Sequence, residues 1–289
     1  MSGKLFLVAT PIGNLEDMTF RAVRTLQEAD LIAAEDTRGT IKLLNHFDIH
    51  TPMTSYHEYN RIEKAHHLTQ RMLAGENIAL VTDAGMPGIS DPGEDLVRIA
   101  REAGVEVTVL PGACAAVTAL PGSALSTRRF CFEAFLPADK KERQKILLEL
   151  KEETRTIILY EAPHRLEKTL RELKDALGER RIALCRELTK LHETYELTTL
   201  EQALKECADK PPRGEYVLVI EGMDTASLEE RERASWEELS VREHVGLYLA
   251  QGFDRKEAMK MAARDRGVGK REIYQALVDS DEDNSPAQS

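Results

Sequence analysis

The stretch that decides the fold is Asn77–Gly93, NIALVTDAGMPGISDPG. Its first part, Ile78–Val81, is a short apolar run, which is typical of a strand buried on both faces. Glycines and prolines then punctuate a loop of about ten residues before a helical pattern begins. Ligands in open α/β sheets bind beyond the carboxyl ends of strands, and glycine lets the backbone approach a ligand closely. We therefore predict a ligand-binding loop here rather than a simple surface turn.

The first 125 residues repeat this strand-to-helix alternation. Strands are predicted at 4–9, 31–34 and 105–110, and the helices between them include one that Thr19 caps. Alternation at this spacing predicts a mostly parallel sheet. We therefore assign residues 1–125 to an N-terminal αβ domain.

Polar residues follow the strand at 31–34. Glu35, Asp36 and Arg38 come directly after its last alanine. Two acids and an arginine at the carboxyl end of a strand form either a solvated turn or a polar cluster in a ligand cleft. Both interpretations are open at this stage.

Residues 126–223 form a second αβ pattern that begins without a linker. Its polar residues also stand at strand ends: Glu161, His164 and Arg165 after one strand, and Arg186, Glu187 and Lys190 after another. The predicted fold class is therefore α/β, with two αβ domains facing each other across a cleft.

The C-terminal part has a different character. Residues 224–235 have the composition of a linker, and 236–279 predict a small module of three helices, the first opened by the capping box of Ser240 and Glu243. Residues 280–289 are acidic and polar, which predicts a disordered tail.

Composition excludes several classes of protein. The net charge of −11 argues against general coating of nucleic acid but leaves room for a local basic patch.

No apolar run is long enough for a membrane span, and no signal peptide is recognisable, so we expect a cytoplasmic protein that does not bind membranes. The four cysteines are scattered, and neither a disulfide framework nor a metal site is predicted. Fingerprints of P-loop hydrolases, dinucleotide-binding proteins and serine hydrolases are absent.

Eight motifs occur in the order typical of one family: VATPIGN, EDTR, TDAGMPGISDPG, LPGACAA, FLP, YEAPHR, RELTK and GEYVLVIEG. With these motifs, residues 4–223 closely resemble the tetrapyrrole methylase superfamily, the class III S-adenosylmethionine-dependent methyltransferases. Within it, the chain is similar to the branch that 2′-O-methylates the ribose of a cytidine in the decoding region of 16S ribosomal RNA. The resemblance implies S-adenosylmethionine as cofactor, 16S rRNA or the small ribosomal subunit as partner, and a homodimer.

The resemblance also implies which residues bind the cofactor in the cleft between the two domains. They are Pro11, Gly13, Asp83, Gly85, Met86, Pro87, Ile89, Ala113, Cys114, Glu161 and Leu188. Met86 stands where relatives often have Asp, and Asp83 is the carboxylate that we expect to substitute for it. Ala134 stands where relatives usually have Gly, which should be tolerated unless the turn needs a positive φ.

A ribose hydroxyl needs a base or a nearby cation when it attacks a methyl group. We expect Lys190 or Glu187 to supply this help, ahead of His164. For RNA binding we expect Arg38 and Arg165, together with Lys256, Lys260 and Arg264, which share one face of a helix in the C-terminal module. Structural ion pairing is the alternative for Arg165, and a solvated helix face is the alternative for the module.

Two other functions fit the sequence less well. A methyltransferase of this fold could act on a tetrapyrrole or another small molecule, but a small substrate needs no basic helical module. A non-enzymatic RNA-binding or assembly factor would not need an intact loop at Asp83–Ile89.

Overall fold

The computed structural model describes residues 2–57, 61–226 and 239–282. The chain forms two compact units, residues 1–222 and 223–289. The first unit contains two five-stranded sheets, and the second contains helices. The predicted α/β class with its C-terminal helices is confirmed.

The first sheet is wholly parallel, with the strand order β3-β2-β4-β1-β5. Its strands are β1 (Lys4–Val8), β2 (Leu31–Ala34), β3 (Met53–Ser55), β4 (Ile78–Val81) and β5 (Glu106–Leu110). Its helices are α1 (Phe20–Glu28), α2 (Thr37–His46), α3 (Arg61–Leu73) and α4 (Gly93–Glu102). Because all neighbours are parallel, the loops that follow these strands meet at one edge of the sheet.

Strand β4 shows why its sequence is apolar at every position. Ile78 and Leu80 belong to a core cluster on one face of the sheet, while Ala79 and Val81 belong to a cluster on the other face. The strand is therefore covered by helices on both faces, as the apolar run predicts.

The second sheet is mixed, with the strand order β6-β7-β10-β8-β9. Its strands are β6 (Phe130–Phe135), β7 (Thr156–Glu161), β8 (Arg181–Arg186), β9 (Thr194–Thr199) and β10 (Tyr216–Ile220). Its helices are α5 (Ala115–Gly122), α6 (Lys140–Leu150), α7 (Pro163–Leu177) and α8 (Leu200–Asp209). Only β6 and β7 are parallel; β10 is antiparallel to β7 and β8, and β9 is antiparallel to β8.

The antiparallel pairing determines which residues become neighbours at the edge of the second sheet. Tyr216, at the start of β10, pairs with Glu161 at the end of β7 and with Arg186 at the end of β8. Helix α5 covers one face of the second sheet. Its Ala116 and Ala119 pack in one core cluster with residues of the strands. Helix α5 thus precedes residue 125 in sequence but packs on the second sheet.

The second unit contains three helices in its described part: α9 (Val241–Ala250), α10 (Arg255–Asp265) and α11 (Lys270–Glu282). Ser240 and Glu243 form the predicted capping box. Apolar side chains of all three helices share a small core that includes Val245, Ala262 and Ile273.

The ends of this module differ in part from the sequence-based boundaries. Helix α11 continues to Glu282, so residues 280–282, predicted as disordered tail, are helical. The rest of the tail, 283–289, and most of the predicted linker, 227–235, lie outside the described residues. None of the described helices is both long enough and apolar enough to span a bilayer.

Candidate functional site

A cleft with partly apolar walls lies between the two sheets of the first unit and has a volume of about 560 Å³. The first sheet contributes the loops after β1, β2, β4 and β5, and the second sheet contributes the ends of β6, β7 and β10 and the loop after β8. Seven predicted cofactor residues line the cleft: Asp83, Gly85, Met86, Ile89, Cys114, Glu161 and Leu188. Four others do not line it: Pro11, Gly13, Pro87 and Ala113.

Backbone hydrogen bonds fix the loop after β4. Thr10 and Gly85 exchange two of them, with N···O distances of 2.9 and 3.0 Å, and Gly85 has φ +89°, where a side chain would be strained. The Asp91 carboxylate accepts hydrogen bonds from the Gly88 and Gly93 amides at 2.9 and 2.7 Å. The loop is therefore held in one shape by the chain itself.

The polar lining of the cleft is acidic. Five carboxylates line it, and no lysine, arginine or histidine does so among the described residues; the acids are Glu35, Asp83, Asp91, Glu161 and Glu215. Burial raises the pKa of Glu35, as do the charges of Asp83 and Asp91, against the lowering effect of a 2.8 Å hydrogen bond from the Thr82 hydroxyl. Such a lining favours a cationic ligand.

Aromatic side chains form the opposite wall. Burial raises the pKa of Tyr160 to about 12, and its hydroxyl accepts a hydrogen bond from the Ala116 amide at 3.1 Å. Its ring meets that of Phe135 edge to face, with the centroids 5.6 Å apart. A bulge in β6 lies between Phe132 and Phe135, and Ala134 within it has φ +52°. The turn does need a positive φ, so alanine is strained there where glycine would not be.

Glu161, the last residue of β7, is held by the start of the helix that follows it, α7. It is 2% exposed, and its two carboxylate oxygens accept hydrogen bonds from the Thr169 hydroxyl at 2.5 Å and the Ala162 amide at 2.8 Å. The Arg165 Nε lies 3.5 Å from the same carboxylate, and Arg165 also donates to the Leu136 carbonyl at 2.8 Å. These contacts support a structural role for Arg165, the alternative that the sequence left open.

Lys190 lies beside the cleft in a clamp of two carboxylates. Its Nζ is 3.0 Å from Glu187 Oε1 and 2.6 Å from Glu215 Oε2, and of the three residues only Glu215 lines the cleft. Burial alone would lower the pKa of Lys190, but these hydrogen bonds outweigh it and raise that pKa. The hydrogen bond from Lys190 in turn lowers the pKa of Glu187. Lys190 is therefore a fixed cation, which suits it to the predicted role of a nearby cation and not to that of a base.

A smaller cavity of about 260 Å³ adjoins the cleft, and we call it the α2 cavity. It is lined by Thr10, Pro11, Gly13, Leu15, Gly39, Thr40, Lys42, Leu43, Thr82 and Asp83. Thr82 and Asp83 line both spaces. Two predicted cofactor residues, Pro11 and Gly13, thus face this neighbouring cavity rather than the cleft.

The family model for tetrapyrrole (corrin/porphyrin) methylases matches residues 4–204, more than two thirds of the chain. The chain belongs to this family. Both the family and the methyltransferase class predicted from the sequence motifs are confirmed, and the cofactor is S-adenosylmethionine.

Curated relatives extend the match beyond the family domain. The methylase is 53% identical to ribosomal RNA small subunit methyltransferase I of Halalkalibacterium halodurans, over 94% of this chain and 93% of that protein. It is 48% identical to the protein of the same name from Bacillus subtilis, over 95% and 94% of the two chains.

Solved structures share the fold at low identity. The methyltransferase CobJ has a TM-score of 0.59 at 18% identity and covers 76% of this chain and 95% of its own. Uroporphyrin-III C-methyltransferase from Thermus thermophilus, in complex with S-adenosylhomocysteine, has a TM-score of 0.55 at 19% identity and covers 76% and 97%.

The remaining predicted residues of the methylase lie outside the cleft lining. Asp36 caps α2, accepting from the Arg38 amide at 2.9 Å, while Arg38 itself is exposed with its Nε 3.3 Å from Asp36. His164 is exposed at the start of α7. The two alternatives for the polar residues after β2, a solvated turn and a polar cluster in a cleft, therefore each apply to part of the segment. Glu35 lines the cleft, and Asp36 caps the next helix.

Some lining residues were not singled out from the sequence: Ile12, Thr82, Ser90, Phe135, Tyr160, Glu215 and Tyr216. Glu215 and Tyr216 reach the cleft only because β10 runs antiparallel between β7 and β8, and no motif spacing reports that pairing. Groups of His, Cys, Asp or Glu suitable for a metal ion do not occur in the described ranges.

Proposed function

We propose that this methylase transfers a methyl group from S-adenosylmethionine to the ribose 2′-oxygen of a cytidine in 16S ribosomal RNA. The observation that carries the proposal is how much of the chain each group of similar proteins covers. The two relatives named for small-subunit rRNA cover 94–95% of the chain, whereas the two solved tetrapyrrole-type enzymes cover 76% of it but 95–97% of themselves. The unmatched quarter favours an RNA substrate over a tetrapyrrole.

The cleft fits the proposed cofactor by charge. S-adenosylmethionine carries its methyl group on a positively charged sulfur, and this sulfur is a good leaving group. The carboxylates of Glu35, Asp83 and Asp91 stabilise a bound cation in this partly buried setting. They stabilise the neutral thioether left after transfer less well, which favours product release.

The acceptor hydroxyl needs a proton acceptor inside the cleft. Lys190 is already protonated, and Glu187 is paired with it, so neither is a good base. We assign the role to Glu35 or Asp83, because Asp83 lines both the cleft and the α2 cavity and Glu35 accepts a hydrogen bond from Thr82, which also lines both. As the bond from oxygen to the methyl carbon forms, the carbon–sulfur bond breaks with its electron pair on sulfur, and the hydroxyl proton goes to the carboxylate.

The second unit is the proposed RNA-binding module. Lys256, Lys260 and Arg264 are exposed along α10, on the side away from the buried Ala258 and Ala262. Neither lysine forms an ion pair with a described residue, and Arg264 lies 3.6 Å from Asp265. Exposed cations in a row, two of them without an ion-pair partner among the described residues, suit contact with successive phosphates.

We further propose a cytoplasmic homodimer. The substrate would place the reaction where ribosomes are assembled. The support is the exposure of large apolar side chains on α5, β9 and the loop after β8, namely Val117, Leu197 and Leu191. Exposed apolar residues mark an interaction site where they form a contiguous patch. Sedimentation equilibrium should give a dimer mass, and a monomer mass at every concentration would contradict the dimer.

The function is tested on small ribosomal subunits from cells that lack the enzyme. The purified chain and labelled S-adenosylmethionine should place one methyl group on one cytidine ribose, mapped by resistance of the adjacent phosphodiester to alkali. A base methyl group, or labelling of a tetrapyrrole instead, would contradict the proposal. Titration calorimetry with S-adenosylmethionine separates an enzyme from a non-enzymatic RNA-binding factor, which would give no binding heat.

A further inference from the structure

We propose that the α2 cavity receives the acceptor nucleoside of the RNA, unstacked from its neighbours, and that Gly39 keeps the entrance open. The inference rests on the proposed function. It assigns the donor and the acceptor to two adjoining spaces, the cleft and the α2 cavity, which share Thr82 and Asp83. An acceptor in one space and a donor in the other meet at this shared border.

Gly39 is unexpected where it stands. It is the third residue of α2, in helical conformation, where glycine costs about 0.5–1 kcal/mol relative to alanine. Packing does not require it, because a β-carbon built there meets no atom within 4 Å, and its φ is not positive. Gly39 is exposed and lines the α2 cavity, so a side chain added there would project into open space at the edge of the cavity.

The lining of the α2 cavity suits a nucleotide. Pro11, Leu15 and Leu43 offer apolar surface to a base. Lys42 is exposed at the rim and makes no ion pair with a described residue, so its ammonium is available to a phosphate. The cleft, in contrast, is lined by acids, and it repels phosphates. Among the described residues, the α2 cavity has one cation, Lys42, and one carboxylate, Asp83, whereas the cleft has five carboxylates and no cation. A phosphate is therefore repelled less at the α2 cavity, and the cationic cofactor is favoured in the cleft.

Size distinguishes the candidate acceptors. A cavity of about 260 Å³ holds one nucleoside, but not a macrocycle of four linked pyrroles. Enzymes that modify a nucleotide commonly take it out of the stack into such a pocket, at a cost that is smallest in single-stranded RNA. The α2 cavity thus favours an unpaired nucleotide as substrate.

The test uses full-length chains with bulk added at Gly39. Gly39→Phe and Gly39→Leu should leave the dissociation constant of S-adenosylmethionine, measured by calorimetry, within about twofold of wild type. Methylation of small ribosomal subunits by the same variants should fall by about 100-fold, the effect of displacing reacting groups by about 1 Å. The matched control is Ile41→Phe, which adds bulk on the exposed opposite face of the same helix and should methylate at nearly the wild-type rate.

Any other outcome overturns the inference. Full activity of Gly39→Leu with normal cofactor affinity means that the α2 cavity is not used. Loss of cofactor affinity in a folded Gly39 variant assigns the cavity to the cofactor, and equal losses in Ile41→Phe show a general effect on α2. If the wild-type chain does not methylate small subunits, the proposed function fails first, and the inference falls with it.

Discussion

Gly13 packs directly on Lys190, so closely that a β-carbon on Gly13 would lie 2.5 Å from Lys190 Cγ and 3.1 Å from the Leu188 carbonyl oxygen. The loop after β1 in the first sheet and the loop after β8 in the second are thus in contact beside the cleft. Glycine at position 13 is what permits this approach.

We therefore expect Gly13→Ala to force the two loops apart. Overpacking of this kind costs about 1–3 kcal/mol of unfolding free energy, which denaturant unfolding would measure. Cofactor affinity should fall as well. Gly39→Ala is the matched control, since its β-carbon meets nothing, and it should raise stability by about 0.5–1 kcal/mol. Equal effects at the two glycines would show that the contact with Lys190 is unimportant.

Asp83→Ala should weaken binding of S-adenosylmethionine by about tenfold, or about 1.4 kcal/mol, through loss of one carboxylate from the acidic lining. The melting temperature should change little, because Asp83 is exposed. Asp83→Asn should behave similarly if charge is the cause. Glu94→Ala removes an exposed carboxylate outside the lining and should bind normally. Early unfolding of Asp83→Ala with unchanged affinity would make the loop merely structural.

Ala134→Gly should stabilise the protein, because it relieves the left-handed backbone at φ +52°. The expected gain is about 0.5–1 kcal/mol, since relief of the strain exceeds the greater chain entropy of glycine. Ala103→Gly is the control: its φ is −81°, so no strain is relieved. A thermal melt in which both variants lose stability would contradict the assignment of strain to Ala134.

Glu187 and Glu35 should affect stability in opposite directions. The pKa of Glu187 is lowered by Lys190, so its charge stabilises the fold above pH 4.5 and this contribution disappears as the pH falls below its folded value. Glu187→Gln should therefore cost about 1 kcal/mol at pH 7 and less at pH 3. The pKa of Glu35 is raised by burial, so Glu35→Gln should increase stability at pH 7. Urea unfolding of each variant and of wild type at both pH values measures these changes in unfolding free energy. An equal effect of Glu187→Gln at the two pH values would show that the charge of Glu187 is not the cause.

Neutralising Lys256, Lys260 and Arg264 together with glutamine should weaken RNA binding and flatten its salt dependence. Each lost phosphate contact lowers the slope by about 0.7 for single-stranded RNA. The control replaces Lys140, Lys141 and Lys145 of α6, which removes the same charge from another exposed helix. Equal slopes for the two triple variants would indicate that only net charge matters and that the module is not a specific RNA contact.

The sequence by itself determined the local features of this protein. The buried run Ile78–Val81, the caps at Thr19 and Ser240, and the ordered motifs were sufficient for the α/β class and the family, because burial period, capping and turn chemistry act over a few residues.

Only the tertiary structure decided how the site is assembled. Antiparallel insertion of β10 brings Glu215 and Tyr216 to the cleft, and it places Glu215 against Lys190, which makes a predicted catalytic residue a fixed cation. The division of the loops between the cleft and the α2 cavity also depends on contacts between distant parts of the chain. Strand order and long-range pairing are set by packing of whole elements, and local sequence patterns carry no record of them.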